Sequence, residues 1–217
     1  MTVNDLIARA FAPVADLPSW QVMGEFGTYL TFYFGTPKVR MTEPTEAIRH
    51  RRLAGADGQY VLRLEAYQWV AFQDGEKMAH SESARDVVRE VAARLQGQKL
   101  IALTLRTQPA GGEFVFDLGG RVTYQVRAAE EETLWTFQTR LDPDPDNVDI
   151  LSFTAAGMVS LFTLRGNAAE PREYVQQTTD HVVDGGVLTV QLGAPPNGGA
   201  AGAFDNSGAG GGPPSVS

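Results

Sequence analysis

An α+β domain built on a largely antiparallel sheet is the fold class that the sequence predicts, and three observations carry it. Extended runs with period-two alternation recur along the chain, glycine-containing turns separate several of them, and one longer stretch switches to helical spacing. Together these imply hairpins plus one long helix, at about residues 81–96, and a short helix at the amino terminus.

Taken in order, Asn4 is a candidate cap for the first helix, whose Leu6, Ile7, Ala10 and Phe11 fall on one face before Pro13 ends it. Tyr29 to Phe34 reads as a strand that turns at Gly35-Thr36-Pro37 and returns through Val39 and Met41. Arg49-His50-Arg51-Arg52, followed by Gly55 and Gly58, predicts a loop, and Tyr60 to Leu64 a further extended run. Trp69 to Phe72 leads into Asp74-Gly75, a type I′ dipeptide, and returns through Glu76 to Ala79. Ser81 or Ser83 can cap the long helix. Its Ala84, Val87, Val88, Val91 and Leu95 keep one face apolar, and Gly97 supplies the left-handed stop.

Leu100 to Leu105 is extended, and Glu113 to Leu118 returns through Arg121 to Val126 across Gly119-Gly120, both expected at positive φ. Leu134 to Gln138 and Val159 to Leu164 add strands, and Asp184-Gly185-Gly186 suggests a last hairpin ending near Leu192. Leu30 to Gly35 weakly echoes Phe114 to Gly119, each an apolar strand running into glycine. Residues 1–193 form one predicted domain. From Ala194 to Ser217 the chain is mostly Gly, Ala and Pro with Asp205 its sole side-chain charge, a composition that predicts a disordered tail.

The charge balance restricts partners. With 18 Lys and Arg against 26 Asp and Glu, the net charge is -8, which disfavours nucleic acid and favours steering toward a basic protein. Cysteine is absent, so disulfide, thiol and thiolate-metal chemistry have no carrier. Asp5 and Arg9 interrupt the amino-terminal apolar pattern, unlike a signal peptide. No apolar run approaches the roughly 20 residues of a membrane span. A cytoplasmic protein, with no membrane or nucleic-acid partner, is the expectation. Homo-oligomerisation stays open.

Candidate chemistry is sparse. Asp142, Asp144 and Asp146 match positions one, three and five of a calcium loop, but Asn147 stands where glycine is needed and Phe153 where a bidentate glutamate is needed. A solvated acidic turn able to meet a basic partner is the better reading. Arg49, Arg51 and Arg52 form a basic cluster suited to a phosphate or an acidic partner through guanidinium forks. His50, His80 and His181 have no ligand-like spacing, and neither a nucleophile elbow nor a phosphate-binding glycine motif occurs, so no cofactor is implied.

A set of motifs adds a family likeness. Trp20, Tyr29 to Pro37, Trp69, Ser81-Glu82-Ser83, Gly97-Gln98-Lys99-Leu100, Phe114 to Gly120 and Trp135 occur in an order that resembles an uncharacterised family of small bacterial proteins. The likeness covers about residues 17–138. It transfers no catalytic residue. The tryptophans read as core or rim aromatics. Asp117 is the only ionisable residue of the Phe-Val-Phe-Asp-Leu-Gly-Gly run, a candidate contact whose commoner role beside a glycine turn is to bond backbone amides.

The functional expectation is a non-catalytic interaction module, of the kind an acidic immunity protein or antitoxin represents. The alternatives are a small-ligand binder, an enzyme whose site is assembled from distant residues such as Asp117, Arg49 and Arg52, or a structural subunit of a larger assembly.

Overall fold

The computed structural model describes residues 2–24, 29–42, 52–126, 133–140, 147–165, 173–176, 181–183 and 186–193. Two antiparallel sheets face each other across an aromatic core. The larger orders its strands β1 (Gln21–Gly24), β2 (Leu30–Phe34), β5 (Tyr60–Leu64), β11 (Thr133–Arg140), β12 (Val148–Thr154), β13 (Met158–Arg165) and β14 (Glu173–Gln176), and β15 (His181–Val182) also pairs with β13. The smaller runs β16 (Val187–Gln191), β8 (Leu100–Thr107), β9 (Ala110–Phe116), β10 (Gly120–Gln125), β6 (Gln68–Gln73) and β7 (Glu76–His80). The chain crosses from the larger sheet to the smaller one and back before ending on β16.

Alternation decides what the layers share. Inward residues of both sheets are buried, among them Phe32, Phe34, Leu62, Phe114, Phe116, Trp135 and Phe137. Phe32 of β2 stacks on Phe116 of β9 at 5.3 Å, and Phe114 meets Trp135 of β11 edge-on at 6.3 Å, so the rings interlock between sheets. One buried polar chain also spans the gap. The indole Nε1–H of Trp135 donates to the Tyr124 hydroxyl at 2.9 Å, which donates to the Thr104 carbonyl at 3.3 Å. Burial pushes the Tyr124 phenol well above its usual range.

Two helices close the sandwich. Helix α1 (Val3–Phe11) starts at Thr2, whose hydroxyl accepts the Asp5 amide while the Asp5 carboxylate accepts the Thr2 amide; this capping box takes the role expected of Asn4. Its Phe11 stacks on Phe137 at 4.1 Å, and a 3₁₀ turn, Ala12–Val14, takes in Pro13. Helix α2 runs only from Arg85 to Leu95, 11 residues, so the long helix expected at about 81–96 is a short one. Its start shifts because Ser83 Oγ accepts the His80 amide at 3.0 Å and closes a turn, leaving Ala84 at the cap with no side-chain bond. Gly97, at φ +88, ends it as expected. The face carrying Val91, Ala92 and Leu95 is buried, and the helix packs against β1 and β7, one edge strand of each sheet.

Three expected turns come out differently. Gly35-Thr36-Pro37 does not return the chain. The β2–β5 pairing (Phe34↔Tyr60) continues past a one-residue register shift into β3 (Lys38–Thr42) paired with β4 (Leu53–Asp57), with Lys38 opposite Asp57. Gly35 at φ +73 therefore bends one long hairpin, and residues 53–57, expected as loop, are its return strand. Gly186 also starts no hairpin with its predecessor, since β15 joins the larger sheet and β16 the smaller. Of Gly119 and Gly120 only Gly119 sits at positive φ, +85; Gly120 lies in β10, where a Cβ would come 2.7 Å from Leu95 and close on Gln98. The Asp74-Gly75 turn, at φ 52 and 84, forms as the sequence predicts.

Candidate functional site

Three places on this scaffold could carry function. The first is where the family-like motifs meet. Gln98, almost wholly buried, accepts the Gly120 amide on Oε1 at 3.0 Å and donates through Nε2 to Gln73 Oε1 at 3.1 Å and to the Arg94 carbonyl at 2.8 Å. Asp117 Oδ1 accepts the Lys99 amide at 2.8 Å, and the Asp117 amide returns a bond to the Lys99 carbonyl at 3.0 Å. Ser19 is tied to the same knot through Gln98, Gly97 and Leu95. The Gly-Gln-Lys-Leu and Phe-Asp-Leu-Gly-Gly pieces thus pin the end of α2 to the β9–β10 turn, a joint with its polar groups engaged among themselves.

The second place is the outer face of the smaller sheet, where register sets residues in rows. One row runs His80, Val70, Thr123, Glu113, Thr104, Thr189; beside it lie Gln68, Gln125, Gly111, Arg106, Val187. A groove of about 530 Å³ crosses this face from β7 to β8. Its floor is low because Gly111 has no side chain and Thr123 and Val70 are short. Lys77, His80 and Glu82 line one end and Arg106 the other. The Glu82 amide donates to His80 Nδ1 at 3.3 Å, so in neutral His80 the Nε2 carries the proton. Gln125 Nε2 donates to Gln68 Oε1 at 3.0 Å. Of the groove's residues the sequence singles out Trp69, His80 and the Ser81-Glu82 pair, though not as one site; the signal that could have found the rest is the Gly111-Gly112 pair inside a strand, where glycine often marks a close approach.

The third place is the β3–β4 arm. It extends beyond the larger sheet as two strands paired with nothing further among the described residues. Val39 is 75 % exposed and Met41 53 %. Their register partners Ala56 and Ala54 are exposed too, so one face of the arm is apolar and open. Arg140 pairs with Asp57 at 3.3 Å and its amide donates to the Gln59 carbonyl at 3.0 Å, fixing the arm's base to β11.

Of the sequence-predicted contact residues, Arg52 is exposed beside β4 on the arm, and Asp117 sits in the β9–β10 turn of the opposite sheet. These two are on separate elements. Arg49, Arg51, Asp142, Asp144 and Asp146 lie outside the described residues. Asp149, which follows the acidic run, accepts the Thr163 hydroxyl at 2.6 Å inside the β12–β13 pair. Among the described residues no group of three or more His, Asp or Glu could hold a metal ion, and no helix is long and apolar enough to cross a membrane. No protein family, curated protein or solved structure matches this chain.

Proposed function

We propose that this chain is a non-catalytic protein-interaction module whose contact element is the β3–β4 arm. The observation that carries it is the open apolar face formed by Val39, Met41, Ala54 and Ala56. A two-stranded ribbon is marginal in water on its own, and one that leaves large apolar side chains outward is suited to being covered by a partner. Both of the arm's outer edges also offer backbone groups to which a partner strand can add.

Charge gives the partner's chemistry. Residues 38–57 carry Lys38, Arg40, Arg49, Arg51 and Arg52 against Glu43, Glu46 and Asp57, a net positive segment within a chain of net charge -8. The arm therefore suits a partner with an acidic rim around an apolar centre. The acidic run Asp142, Asp144, Asp146 supports the other polarity, a basic partner of an immunity or antitoxin type, on charge alone.

Affinity purification from the native cell with mass spectrometry, run in parallel on wild type, Val39→Asp with Met41→Asp, and the exposed control Tyr67→Asp, tests the reading. A protein retained by wild type and control and lost from the arm variant is the expected result. Equal recovery by all three would refute the arm. With the partner in hand, changing Arg49, Arg51 and Arg52 to Gln should lower the association rate and flatten its salt dependence, whereas the same effect from Asp142, Asp144 and Asp146 changed to Asn would reverse the assigned polarity.

A further inference from the structure

The groove on the outer face of the smaller sheet is a separate feature, independent of the arm. It spans from β7 to β8 across β6, β10 and β9, four inter-strand steps or about 19 Å across the sheet; Lys77, opposite Phe72, and Arg106, in the row of Gln68, also lie four residues apart along the strands, so about 23 Å separates their backbones. Each end carries a fixed cation, Lys77 on β7 and Arg106 on β8, and among the described residues neither is in an ion pair or hydrogen bond. Between them lie Thr123 and Val70 on the floor and the Gln68–Gln125 amide pair along the side, and Glu113 stands beside Thr123 on the same face, which disfavours acidic charge in the middle of the groove.

An unpaired cation at each end of a polar trough selects a ligand that is anionic at both ends and hydrogen-bonding along its middle. A small monovalent anion would meet one end only. Two acidic residues six apart in an extended peptide are about 20 Å apart at about 3.3 Å per residue and point to the same side, with the long side chains of Lys77 and Arg106 covering the remainder, and the backbone between them supplies the donors and acceptors that amides and hydroxyls match. Glu82, beside His80, opposes an anion at that end. His80 offsets it there, offering the Nε2–H that its bond from the Glu82 amide leaves available.

We propose that this groove binds a short extended peptide bearing acidic side chains about six residues apart. Length and charge spacing, more than total charge, set recognition, because the two cations are fixed on different strands of one sheet. The site does not depend on the arm, so the arm variant Val39→Asp with Met41→Asp leaves it intact.

The test is an NMR titration of the full chain with capped Glu-Ser-Gly-Ser-Gly-Ser-Glu, whose two Glu are six apart, against the capped peptide with Gln at both ends and capped Glu-Glu. The seven-residue acidic peptide should shift the amides of Gln68, Thr123 and Gln125 and bind at least about 10-fold more tightly than either comparison peptide. Lys77→Gln and Arg106→Gln, at exposed sites that leave the fold undisturbed, should each weaken it several-fold, and Thr123→Glu should abolish it. Arg165→Gln, an equal charge change outside the groove, should have no effect. Shifts that map elsewhere, equal affinity for the Gln peptide or capped Glu-Glu, or equal weakening by Arg165→Gln would each overturn the site. Failure here leaves the arm reading standing, and loss of the arm's partner leaves this titration unchanged.

Discussion

Replacing Gln98 tests whether the joint between α2 and the β9–β10 turn holds the fold together. Gln98→Met keeps a similar volume and removes every polar atom of the side chain. The Gly120 amide then loses its acceptor, and the Arg94 carbonyl and Gln73 Oε1 lose their donor. The Gly120 amide is the costly one, since Gly120 is buried and a buried donor left unpaired costs about 1–3 kcal/mol. The Arg94 carbonyl lies in the exposed last turn of the helix, where water can replace the amide, and adds about 0.5 kcal/mol. A loss of about 1.5–3.5 kcal/mol follows, equivalent in a chain of this size to roughly 3–14 °C in Tm. Gln98→Ala should cost about 1–2 kcal/mol more through the methylenes removed. Equilibrium unfolding in guanidinium chloride gives both numbers, with Gln125→Ala as a surface control expected within about 0.5 kcal/mol of wild type. If Gln98→Met unfolds within about 0.5 kcal/mol of wild type, the knot is a by-product of the fold and the reasoning fails.

Gly119→Val should destabilise by about 1–3 kcal/mol or more, because φ is +85 and a Cβ would run into the Asp74 carboxylate; Gly75→Ala, at φ +84 with open space around it, should lose only about 1 kcal/mol, and chemical denaturation compares the two. Tyr124→Phe leaves the buried Trp135 Nε1–H without its acceptor and should cost about 1–3 kcal/mol by the same method. The phenol's pKa is raised in the folded state, so its contribution is complete below the ordinary tyrosine range near pH 10 and is lost as pH rises above it; wild type should therefore lose stability faster than Tyr124→Phe between about pH 10 and 11, by up to about 1.4 kcal/mol per unit. Removing residues 194–217 should leave the melting temperature unchanged, since the described apolar core and the side chains packed on it end at Leu192; a drop of several degrees by circular dichroism would show a contact from that segment.

Local chemistry makes much of this molecule legible in its sequence. The Asp74-Gly75 turn, the glycine stop of α2 and the alternation of Phe114 and Phe116 each follow from a preference acting within a few residues, so the sequence alone determined them. It also marked Trp20, Trp69 and Trp135 as core or rim aromatics; Trp69 and Trp135 lie in the core and Trp20 is half-buried. Gly35 and Gly119 show where that reach stops. Both end apolar strands at positive φ, yet β9 returns through β10 while β2 bends and runs on as β3. A glycine fixes a local dihedral, and which strand lies beside the next segment depends on partners well beyond the turn, as far as Asp57 opposite Lys38. The same reason hid the start of α2, where Ser83 bonds the His80 amide instead of capping, and the fate of Gly186, whose flanking strands belong to different sheets. The groove was invisible for a stronger reason. Lys77 and His80, Thr123, and Arg106 come from three strands, and only register, set by which faces bury their aromatics, brings them onto one surface. Sequence determined many of the strands, the turns with their own chemistry and the acidic charge, but carried no sign of β1, β4, β12 or β14; tertiary structure decided those, the pairing, the projection of the arm and the convergence of the groove, because these are long-range consequences of burying one shared core.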